Sequence, residues 1–374
     1  MTHSGADPEM QVSVIGDAAA FDALAEEWDA LWQRCPAATP FQTHAWLIGY
    51  IRAYVGNGRI SVVVVRQGQR LVAAAALRRV RRGLVPVLVP LGGRISDFTD
   101  VLVDPAVPAA ATRLATGIAR LPGWSVLDLP EVLPGAAAQA WAQSWPGRVH
   151  RMPGSVSLEL PAGDLTTVLA RLPARTASTL RRKLRKIDAA DIERTEVGAE
   201  DVPRAVAELL TLHEAQWVGR RGNPEHLRPR FRRHLTGALT GMVARGQAVV
   251  VEYRLAGRLV AAQIDLVGHR SLAYYLAGIS PDLRERIDTA ALIVRGDLEL
   301  AQRLGRSEYS MLRGREHYKF RWRPIEVSAT RLVLARPGAL PVPYVAAVRL
   351  RIVAVRAVKW SLARLRRMRE TAPS

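Results

Sequence analysis

The residues best suited to chemistry lie in the second half of the chain. Tyr318 and Lys319 follow a short apolar run, and Glu316 lies two residues before the tyrosine. A phenol, an ammonium group and a carboxylate can donate, hold or accept a proton during group transfer. Asp265 and Glu316 are candidate bases, and His213 is a third candidate. The alternatives are a packed tyrosine, a surface lysine and a structural histidine.

A second group of residues could bind an anion. Arg284, Arg286, Asp288 and Thr289 precede a helical pattern that begins at Ala290. The first N–H groups of a helix and its dipole attract anions, and arginine makes bidentate contacts with phosphate. Asp288 or Thr289 could equally serve as a helix N-cap, and both arginines could lie in a solvated loop.

The overall charge favours acidic partners. The formal net charge is +19, and of the 53 basic residues only four are lysines, namely Lys183, Lys186, Lys319 and Lys359. Nucleic acid, anionic lipid and a phosphate-bearing ligand such as coenzyme A all suit this charge. The scarcity of lysine makes each lysine position more informative than each arginine.

Composition and missing motifs exclude several classes of protein. A length of 374 residues and a hydrophobic fraction of 49% suit two folded domains. The single cysteine, Cys35, rules out an internal disulfide. No P-loop, His-Glu-x-x-His, Gly-x-Ser-x-Gly or Cys-x-x-Cys motif is present, and no metal site is predicted. The first ten residues lack a secretory signal, and the apolar run 84–91 is shorter than the roughly 20 residues of a membrane span, so we expect a cytoplasmic protein.

Hydrophobic periodicity predicts the same order of elements in both halves. In the first half we expect helices over 18–34 and 43–55, a hairpin of 60–66 and 71–77, further strands within 85–103, a helix over 109–120 and a strand at 125–129. In the second half we expect helices around His213 and over 230–244, a hairpin of 248–253 and 258–266, a strand at 271–277, a helix over 288–304 and a strand at 308–312. This echo predicts a duplicated α/β unit.

Three domains follow from this pattern. Pro153, Gly154, Pro161 and Gly163 cluster between the halves. We therefore predict an N-terminal domain of residues 10–155, a C-terminal domain of residues 156–335 and a basic tail of residues 336–374. The fold class is α/β of the α+β type, with two mostly antiparallel sheets flanked by helices.

The echoed pattern resembles the GNAT acetyltransferase fold. The segment Leu312-Arg-Gly-Arg-Glu-His-Tyr-Lys319 resembles the family of cellulose-biosynthesis-associated acetyltransferase-like proteins, which are tandem GNAT folds related to Fem-type peptidyltransferases. Supporting matches are Leu212-His-Glu-Ala-Gln-Trp217 with Arg220-Arg-Gly222, and Gly257-Arg-Leu-Val-Ala-Ala262 with Tyr275 and Gly278. The resemblance covers about residues 20–330. One departure is that 279–295 contains no glycine, whereas the usual GNAT pyrophosphate loop is glycine-rich.

The resemblance implies an acyl-CoA-dependent N-acyltransferase with its chemistry in the C-terminal half. It places Tyr318 where a general acid would protonate the leaving thiolate, and it marks Lys319. It implies that backbone groups of Leu276, Ala277 and Gly278 meet the acyl thioester. Since Tyr274 and Tyr275 alternate along a strand, only one of them can face the cleft.

Two basic segments have alternative interpretations. The segment from Thr179 to Ile187 is a helix that carries five charges, and it suits either solvent or an acidic substrate. The segment from Val345 to Glu370 predicts a basic amphipathic helix. That helix could lie on an anionic membrane surface or dock onto its own protein.

Three functions stay open from the sequence. The first is transfer of an acetyl or other acyl group from CoA to an amine of a small molecule, amino sugar or cell-envelope precursor. The second is a Fem-like transferase that uses aminoacyl-tRNA, which the charge and the glycine-free segment would suit. The third is a non-enzymatic protein, associated with a membrane or with nucleic acid, that keeps the fold.

Overall fold

A computed structural model describes residues 9–56, 58–217, 223–339, 341–354 and 357. Its strands belong to one 13-stranded sheet, in the order β1-β2-β3-β4-β6-β13-β7-β12-β11-β10-β9-β8, with β5 paired to β3. The strands are β1 (Met10–Ile15), β2 (Ile60–Gln67), β3 (Arg70–Arg82), β4 (Val85–Pro90), β5 (Leu102–Val103), β6 (Val126–Val132), β7 (Val149–Pro161), β8 (Ile192–Glu196), β9 (Ala248–Leu255), β10 (Arg258–Val267), β11 (Ser271–Ile279), β12 (Glu308–Arg313) and β13 (Ile325–Ala335).

Helices cover both faces of this sheet. They are α1 (Ala18–Asp22), α2 (Ala25–Gln33), α3 (His44–Tyr50), α4 (Ala109–Arg120), α5 (Ala137–Trp141), α6 (Leu165–Ala170), α7 (Ala174–Asp188), α8 (Val202–Trp217), α9 (Pro229–Ala244), α10 (Pro281–Arg286), α11 (Thr289–Arg303) and α12 (His317–Phe320). The mixed, mostly antiparallel sheet with flanking helices confirms the predicted fold class, but the two predicted sheets are joined into one because β13 and β7 pair across the boundary.

Both predicted hairpins are present. The β9–β10 turn is two residues long, and Ala256 and Gly257 both have positive φ, at 49° and 75°. Two consecutive positive φ values define the turn whose twist matches antiparallel strands. The β2–β3 connection likewise contains Gly68 at φ 60°. The short-range turn signals were therefore sufficient to predict strand pairing here.

The strands predicted within 85–103 are present as β4 and the two-residue β5, with Gly92 and Gly93 at positive φ between them. Two local predictions need correction. The helix expected over 18–34 is broken, because the Leu24 N–H bonds to Phe21 three residues back and tightens the turn. The glycine-free segment after β11 forms the short helix α10 and not an open loop.

The two halves exchange strands. β13 is the last strand of the sheet in the sequence, yet it lies between β6 and β7, with Val333 opposite Asp128 on β6 and His150 on β7. β7 spans the predicted boundary at 155/156, and its second part pairs with β12 through Leu160 and Tyr309. Each half of the sheet is thus completed by a strand that also belongs to the other half.

The first part of the predicted tail packs against the sheet of the N-terminal half. Residues 342–354 are helical, and Tyr344, Val345 and Val348 are buried against an apolar cluster that includes Val333. The Tyr344 hydroxyl donates to Asp128 Oδ2 at 2.5 Å. In this part the apolar face contacts the protein, as the docking alternative expects. Most of the predicted amphipathic segment beyond residue 354 lies outside the described residues. No helix in the described part of the chain is long and apolar enough to cross a membrane.

Candidate functional site

The candidate site lies where two neighbouring parallel strands separate. β11 and β12 pair only from Ser271 opposite Glu308 to Ala273 opposite Ser310. Beyond these residues the strands diverge and enclose a cavity of about 650 Å³. The cavity is lined by Lys183, Lys186, Gln216, Tyr274, Ile279, Arg284, Glu285, Arg286, Ile287, Asp288, Thr289, Ala290, Ile293, Val294, Tyr309, Met311 and Tyr318. The predicted site residues Tyr318, Arg284, Arg286 and Thr289 therefore line a single cavity.

Three tyrosines contribute hydroxyl groups to its wall. Tyr274 and Tyr309 come from the two diverging strands, and Tyr318 comes from α12, which follows β12. The Tyr318 hydroxyl makes no hydrogen bond with any residue in the described part of the chain. Burial raises the pKa of Tyr318, so its phenol stays protonated at neutral pH. A protonated hydroxyl that is free to bond a ligand can act as an acid.

Tyr275 faces the other side of the sheet, which confirms that only one of the adjacent tyrosines lines this cavity. Its hydroxyl donates to the Ile95 carbonyl oxygen at 2.9 Å, and its ring packs edge-on against Trp46 at a centroid distance of 5.2 Å. Alternation along β11 therefore places the Tyr274 side chain in the wall of the cavity, and it places the Tyr275 side chain against residues of the N-terminal half.

The start of α11 already holds an anion, namely the carboxylate of Asp288. Asp288 is the N-cap, and its Oδ1 accepts from the Ala291 N–H at 3.0 Å. Its carboxylate also accepts from Lys183 Nζ at 2.5 Å and from Arg321 Nη1 at 2.7 Å. Burial alone would raise the pKa of Asp288, but the bonds from Arg321 and Lys183 outweigh it and hold this pKa well below its usual value. The N-cap interpretation of Asp288 is thus observed.

The two predicted arginines lie on α10 at the rim of the cavity. Arg286 is exposed, and Arg284 is half-buried with Nη2 3.5 Å from the Gln216 carbonyl oxygen. Lys186 is exposed on α7, across the opening. Together with Lys183 these side chains give the cavity a cationic rim, which suits a phosphate-bearing ligand.

Lys319 points away from the cavity. Its side chain is 5% exposed, and Nζ donates to the carbonyl oxygens of Met311 at 2.8 Å and Arg313 at 3.2 Å. The same ammonium pairs with Glu316 at 2.8 Å. Neither Lys319 nor Glu316 lines the cavity. The structure therefore places this lysine where it supplies donors to the irregular end of β12.

His213 and Gln216 occupy the free edge of β11. Because successive residues of a strand bond to opposite neighbours, Gly278 bonds toward β10 while Ala277 and Ile279 face the gap. His213 Nδ1 is 2.7 Å from the Ala277 carbonyl oxygen, and the Ile279 N–H donates to Gln216 Oε1 at 3.1 Å. Burial lowers the pKa of His213. Leu276, Ala277 and Gly278 are buried on β11 and do not line the cavity.

Asp265 lies in a closed network beneath the cavity. Gln263 Nε2 donates to Asp265 Oδ2 and to Asp297 Oδ1, at 2.5 Å in each case. Both carboxylates are fully buried. Burial raises the pKa of Asp297 to about 7, and burial together with the Asp297 charge raises the pKa of Asp265 well above its usual value. Asp265 is therefore not placed to meet a ligand in the cavity.

Several lining residues escaped the sequence reasoning. Tyr309 lies in the middle of an apolar strand, where a tyrosine normally indicates packing. Lys183 was considered only as part of a basic helix, although it lies 105 residues before its partner Asp288. Arg321, two residues after Lys319, does not line the cavity but pairs with Asp288, and the sequence gives no signal for this contact. A useful signal was the scarcity of lysine, which singled out Lys183 and Lys186 without giving them a location.

Comparison with known families supports the fold and the class. Residues 174–320 match the family described as an acetyltransferase (GNAT) domain. This matched segment contains α7, the diverging strands, α10, α11 and α12. No curated protein sequence matches the chain.

Solved structures with the same fold cover most of the chain at low sequence identity. FemX is 11% identical with a TM-score of 0.61, and the alignment covers 84% of this chain and 96% of FemX. A conserved protein of unknown function from Bacteroides thetaiotaomicron VPI-5482 is 13% identical with a TM-score of 0.58, covering 87% and 100%. The C-terminal domain of a putative lysylphosphatidylglycerol synthetase from Agrobacterium fabrum is 13% identical with a TM-score of 0.55, covering 91% and 97%.

These findings define a class. The chain contains a GNAT acetyltransferase domain within its C-terminal half, where the sequence predicts one. The prediction that it is an N-acyltransferase is confirmed at this level. The structural similarity extends to FemX.

Proposed function

We propose that the protein transfers an acyl group from acyl-CoA, such as acetyl-CoA, to a primary amine, with the donor bound in the cavity between β11 and β12. The observation that carries this proposal is the combination of a cationic rim and a free Tyr318 hydroxyl in one cavity. We extend the proposal to the cellulose-biosynthesis-associated family and to an amino sugar or cell-envelope precursor as acceptor, on the Tyr-Lys motif alone.

The reaction forms one bond and breaks one. The amine nitrogen attacks the acyl carbonyl carbon, the C–N bond forms and the C–S bond breaks. Tyr318 donates its proton to the leaving sulfur and recovers one from the nitrogen, so the hydroxyl is unchanged at the end. The hydroxyl is protonated at neutral pH, so its proton is present when the thiolate leaves, although burial raises its pKa and makes it a weaker acid than a free phenol.

The phosphate contacts should differ from those at an open helix start. Since the Asp288 carboxylate caps α11, its first N–H groups are poorly available to a pyrophosphate. Arg284, Arg286 and Lys186 at the rim are the better candidates. Each charge-assisted contact contributes about 1.5–3 kcal/mol.

A second candidate donor is aminoacyl-tRNA. The capped start of α11 favours it, and so does α7, which exposes Arg175, Arg181, Arg182, Arg185 and Lys186 beside the cavity. This cationic surface is larger than the few phosphates of CoA require, and a nucleic acid backbone would use it. The shared fold with FemX and with the putative lysylphosphatidylglycerol synthetase domain supports the same alternative.

Calorimetric titration of CoA and of tRNA separates the two donors. The double variant Arg284→Ala/Arg286→Ala should bind CoA at least ~10-fold more weakly than the wild type. The matched control Arg81→Ala/Arg82→Ala makes the same charge change on exposed residues of β3 and should not alter CoA binding. Circular dichroism and thermal melting verify that both variants fold.

The tRNA arm uses α7. Arg181→Ala/Arg185→Ala should weaken tRNA binding and reduce its salt dependence by about two charges, while CoA binding stays unchanged. If only tRNA binds the wild type, the second donor replaces the first. If neither binds, the proposed function is wrong.

A further inference from the structure

A second cavity lies on the opposite face of the same two strands. Its volume is about 290 Å³, and it is bounded by both halves of the chain. On β12, Tyr309 and Met311 line the first cavity, whereas Ser310 and Leu312 line the second. On β11, Tyr274 lines the first and Ala273 the second. The two cavities therefore meet β11 and β12 from opposite sides, at the point where their pairing ends.

The second cavity contains one carboxylate without an ion-pair partner. The Glu159 side chain on β7 makes no hydrogen bond and no ion pair with any residue that the structure describes. Its neighbour Glu308 differs, because Arg270 Nη2 donates to it at 2.6 Å. Burial and the Glu308 charge raise the pKa of Glu159 to about 7, and the Arg270 charge opposes this shift only in part. Glu159 is half-buried, and its carboxylate faces the cavity.

The remaining charged or titratable groups around Glu159 are accounted for. β13 contributes Ile325 opposite Glu159, which carries no charge. His269 Nε2 is 3.0 Å from the Trp32 carbonyl oxygen, and burial lowers the pKa of its imidazole, so it stays neutral near pH 7. The N-terminal half contributes Phe41, Phe98 and other uncharged residues to the lining. Arg270 also lines the cavity, where it pairs with Glu308, and its charge lowers the pKa of Glu159 only in part. The cavity thus combines an apolar wall with one carboxylate that has no ion-pair partner.

We propose that this second cavity binds the amine acceptor, as an ammonium ion with an apolar substituent, and that Glu159 receives its proton. A cation of this shape would pair with Glu159 and place its apolar part against Phe41 and Phe98. The location at the end of the β11–β12 pairing lets the nitrogen approach the gap from the face opposite the donor. This inference rests on the proposed function and adds the acceptor's binding site to it.

The proton balance is complete. The ammonium ion loses one proton to the Glu159 carboxylate and becomes a nucleophilic amine. It forms the C–N bond as the C–S bond of the donor breaks, and its second proton reaches the leaving sulfur through the Tyr318 hydroxyl. Glu159 then releases its proton to solvent, so acyl-CoA and an ammonium ion yield an amide, free CoA and one proton.

The test measures binding without turnover. Phenethylammonium chloride serves as the probe, and its dissociation constant is measured by calorimetry on the full-length protein at pH 5.5 and 8.5. An alkylammonium group has a pKa near that of lysine, about 10.4, and stays charged throughout. Glu159 is charged only above about pH 7, so wild-type affinity should rise at least ~10-fold between the two values.

Two variants decide the outcome. Glu159→Gln keeps the size of the side chain, and it should bind weakly at both pH values and lose the pH dependence. Glu326→Gln is the matched control on β13, outside the cavity lining, and should retain it, because that exposed carboxylate pairs with Arg315. Wild-type binding without pH dependence, unaltered binding in Glu159→Gln, or no binding at all would overturn the inference.

The donor titration distinguishes this failure from failure of the proposed function. If CoA binds and depends on Arg284 and Arg286 while phenethylammonium does not bind, only the acceptor site is wrong. A thermal melt of Glu159→Gln confirms that it is folded, since replacing a half-buried carboxylate by an amide leaves the packing of β7 unchanged.

Discussion

The two halves of the molecule share their order of elements but differ in what lies between their central parallel strands. In the N-terminal half β4 pairs with β6 through Val87 opposite Val126 and Leu88 opposite Leu127, and all four side chains are fully buried. In the C-terminal half the corresponding strands, β11 and β12, pair over three residues, against two in the N-terminal half, and then line a cavity that contains tyrosine and cationic side chains. The same topology thus gives an apolar core in one half and a ligand-sized space in the other.

The short helices that follow these strands show the same contrast. α5 in the N-terminal half turns Ala138 and Trp141 into the core, with exposed fractions of 0% and 1%. Asp100 fixes its start by accepting from the Ala137 and Ala138 N–H groups. α12 in the C-terminal half instead presents Tyr318 to the cavity. Two halves with the same order of elements can therefore differ, one filling this position with apolar packing and the other leaving a cavity.

The N-terminal half also contacts and supports the C-terminal half. β13 completes the sheet of the N-terminal half, and Arg331 on β13 pairs with Asp128 on β6 through both carboxylate oxygens. α3 and α9 touch closely, since a Cβ added at Gly49 would lie 2.8 Å from Ala238 Cβ. Strands and helices of the two halves therefore contact each other directly. Through the pairing of β12 with β7, the N-terminal half supports the strands that line the cavity.

The largest difference between the halves should appear in helix–strand contacts. A Cβ at Gly278 would lie 2.2 Å from the Leu209 carbonyl oxygen, part of the α8 backbone. At Gly117 on α4 it would lie 2.6 Å from the Val12 side chain, which is 40% exposed and can move. Gly278→Ala should lower the free energy of unfolding by about 3 kcal/mol. Gly117→Ala should change it by less than about 1 kcal/mol, since alanine favours the helix. Urea unfolding followed by circular dichroism measures both free energies of unfolding. Equal losses in the two variants would show that the neighbours of Gly278 and Gly117 move aside equally easily.

Removing the Tyr318 hydroxyl should affect catalysis and not folding. Tyr318→Phe should lower kcat about 10–100-fold with little change in KM, which corresponds to about 1.4–2.7 kcal/mol of transition-state stabilisation. Release of free thiol from acetyl-CoA with a panel of amines measures this rate. Tyr275→Phe makes the same change on the opposite face of the sheet and should keep kcat. Equal rates for wild type and Tyr318→Phe would remove Tyr318 from the mechanism.

Acid should loosen the contact between the halves through His234. This histidine on α9 is fully buried against Trp46 of α3, and burial lowers its pKa to about 3. The unfolded chain binds a proton below about pH 6.5 while the folded chain does not, so this residue costs stability as pH falls from 6.5 toward 3. At pH 5 the cost is about 2 kcal/mol relative to pH 8. In His234→Leu the loss of unfolding free energy between pH 8 and pH 5 should shrink by that amount; an unchanged loss would mean that other groups cause it.

The smallest expected effect concerns two carboxylates that pair with cations, Asp288 in the C-terminal half and Asp128 in the N-terminal half. Asp288→Asn keeps an N-capping side chain but leaves Lys183 and Arg321 without a counter-charge beside the cavity. Affinity for pyrophosphate should rise about 3–10-fold, from a gain on the order of 1 kcal/mol. Asp128→Asn in the N-terminal half should lower stability and leave pyrophosphate affinity unchanged. Isothermal calorimetry measures both, and weaker binding in Asp288→Asn would mean that the carboxylate positions the cations for the ligand.

The sequence alone was enough to predict the elements that depend on local pattern. The alternation and turn residues of β9 and β10, the periodicity of α4 and α11, and the N-cap at Asp288 involve residues within a few positions of one another. Hydrogen bonds of turns and helices close over such distances, so their signals are readable in the chain. The resemblance at Tyr318 and the arginines before α11 likewise depended on spacing after a strand and before a helix.

Only the tertiary structure decided what those elements meet. Lys319 carries the same motif signal as Tyr318, yet it turns inward because the end of β12 leaves carbonyl oxygens that need a donor. The pairing of Asp288 with Lys183, the exchange of β13 into the N-terminal half and the exposure of Glu159 in a second cavity all join segments far apart in the chain. Such contacts result from which faces pack together, and packing depends on shape and burial summed over the whole fold, which no local spacing encodes.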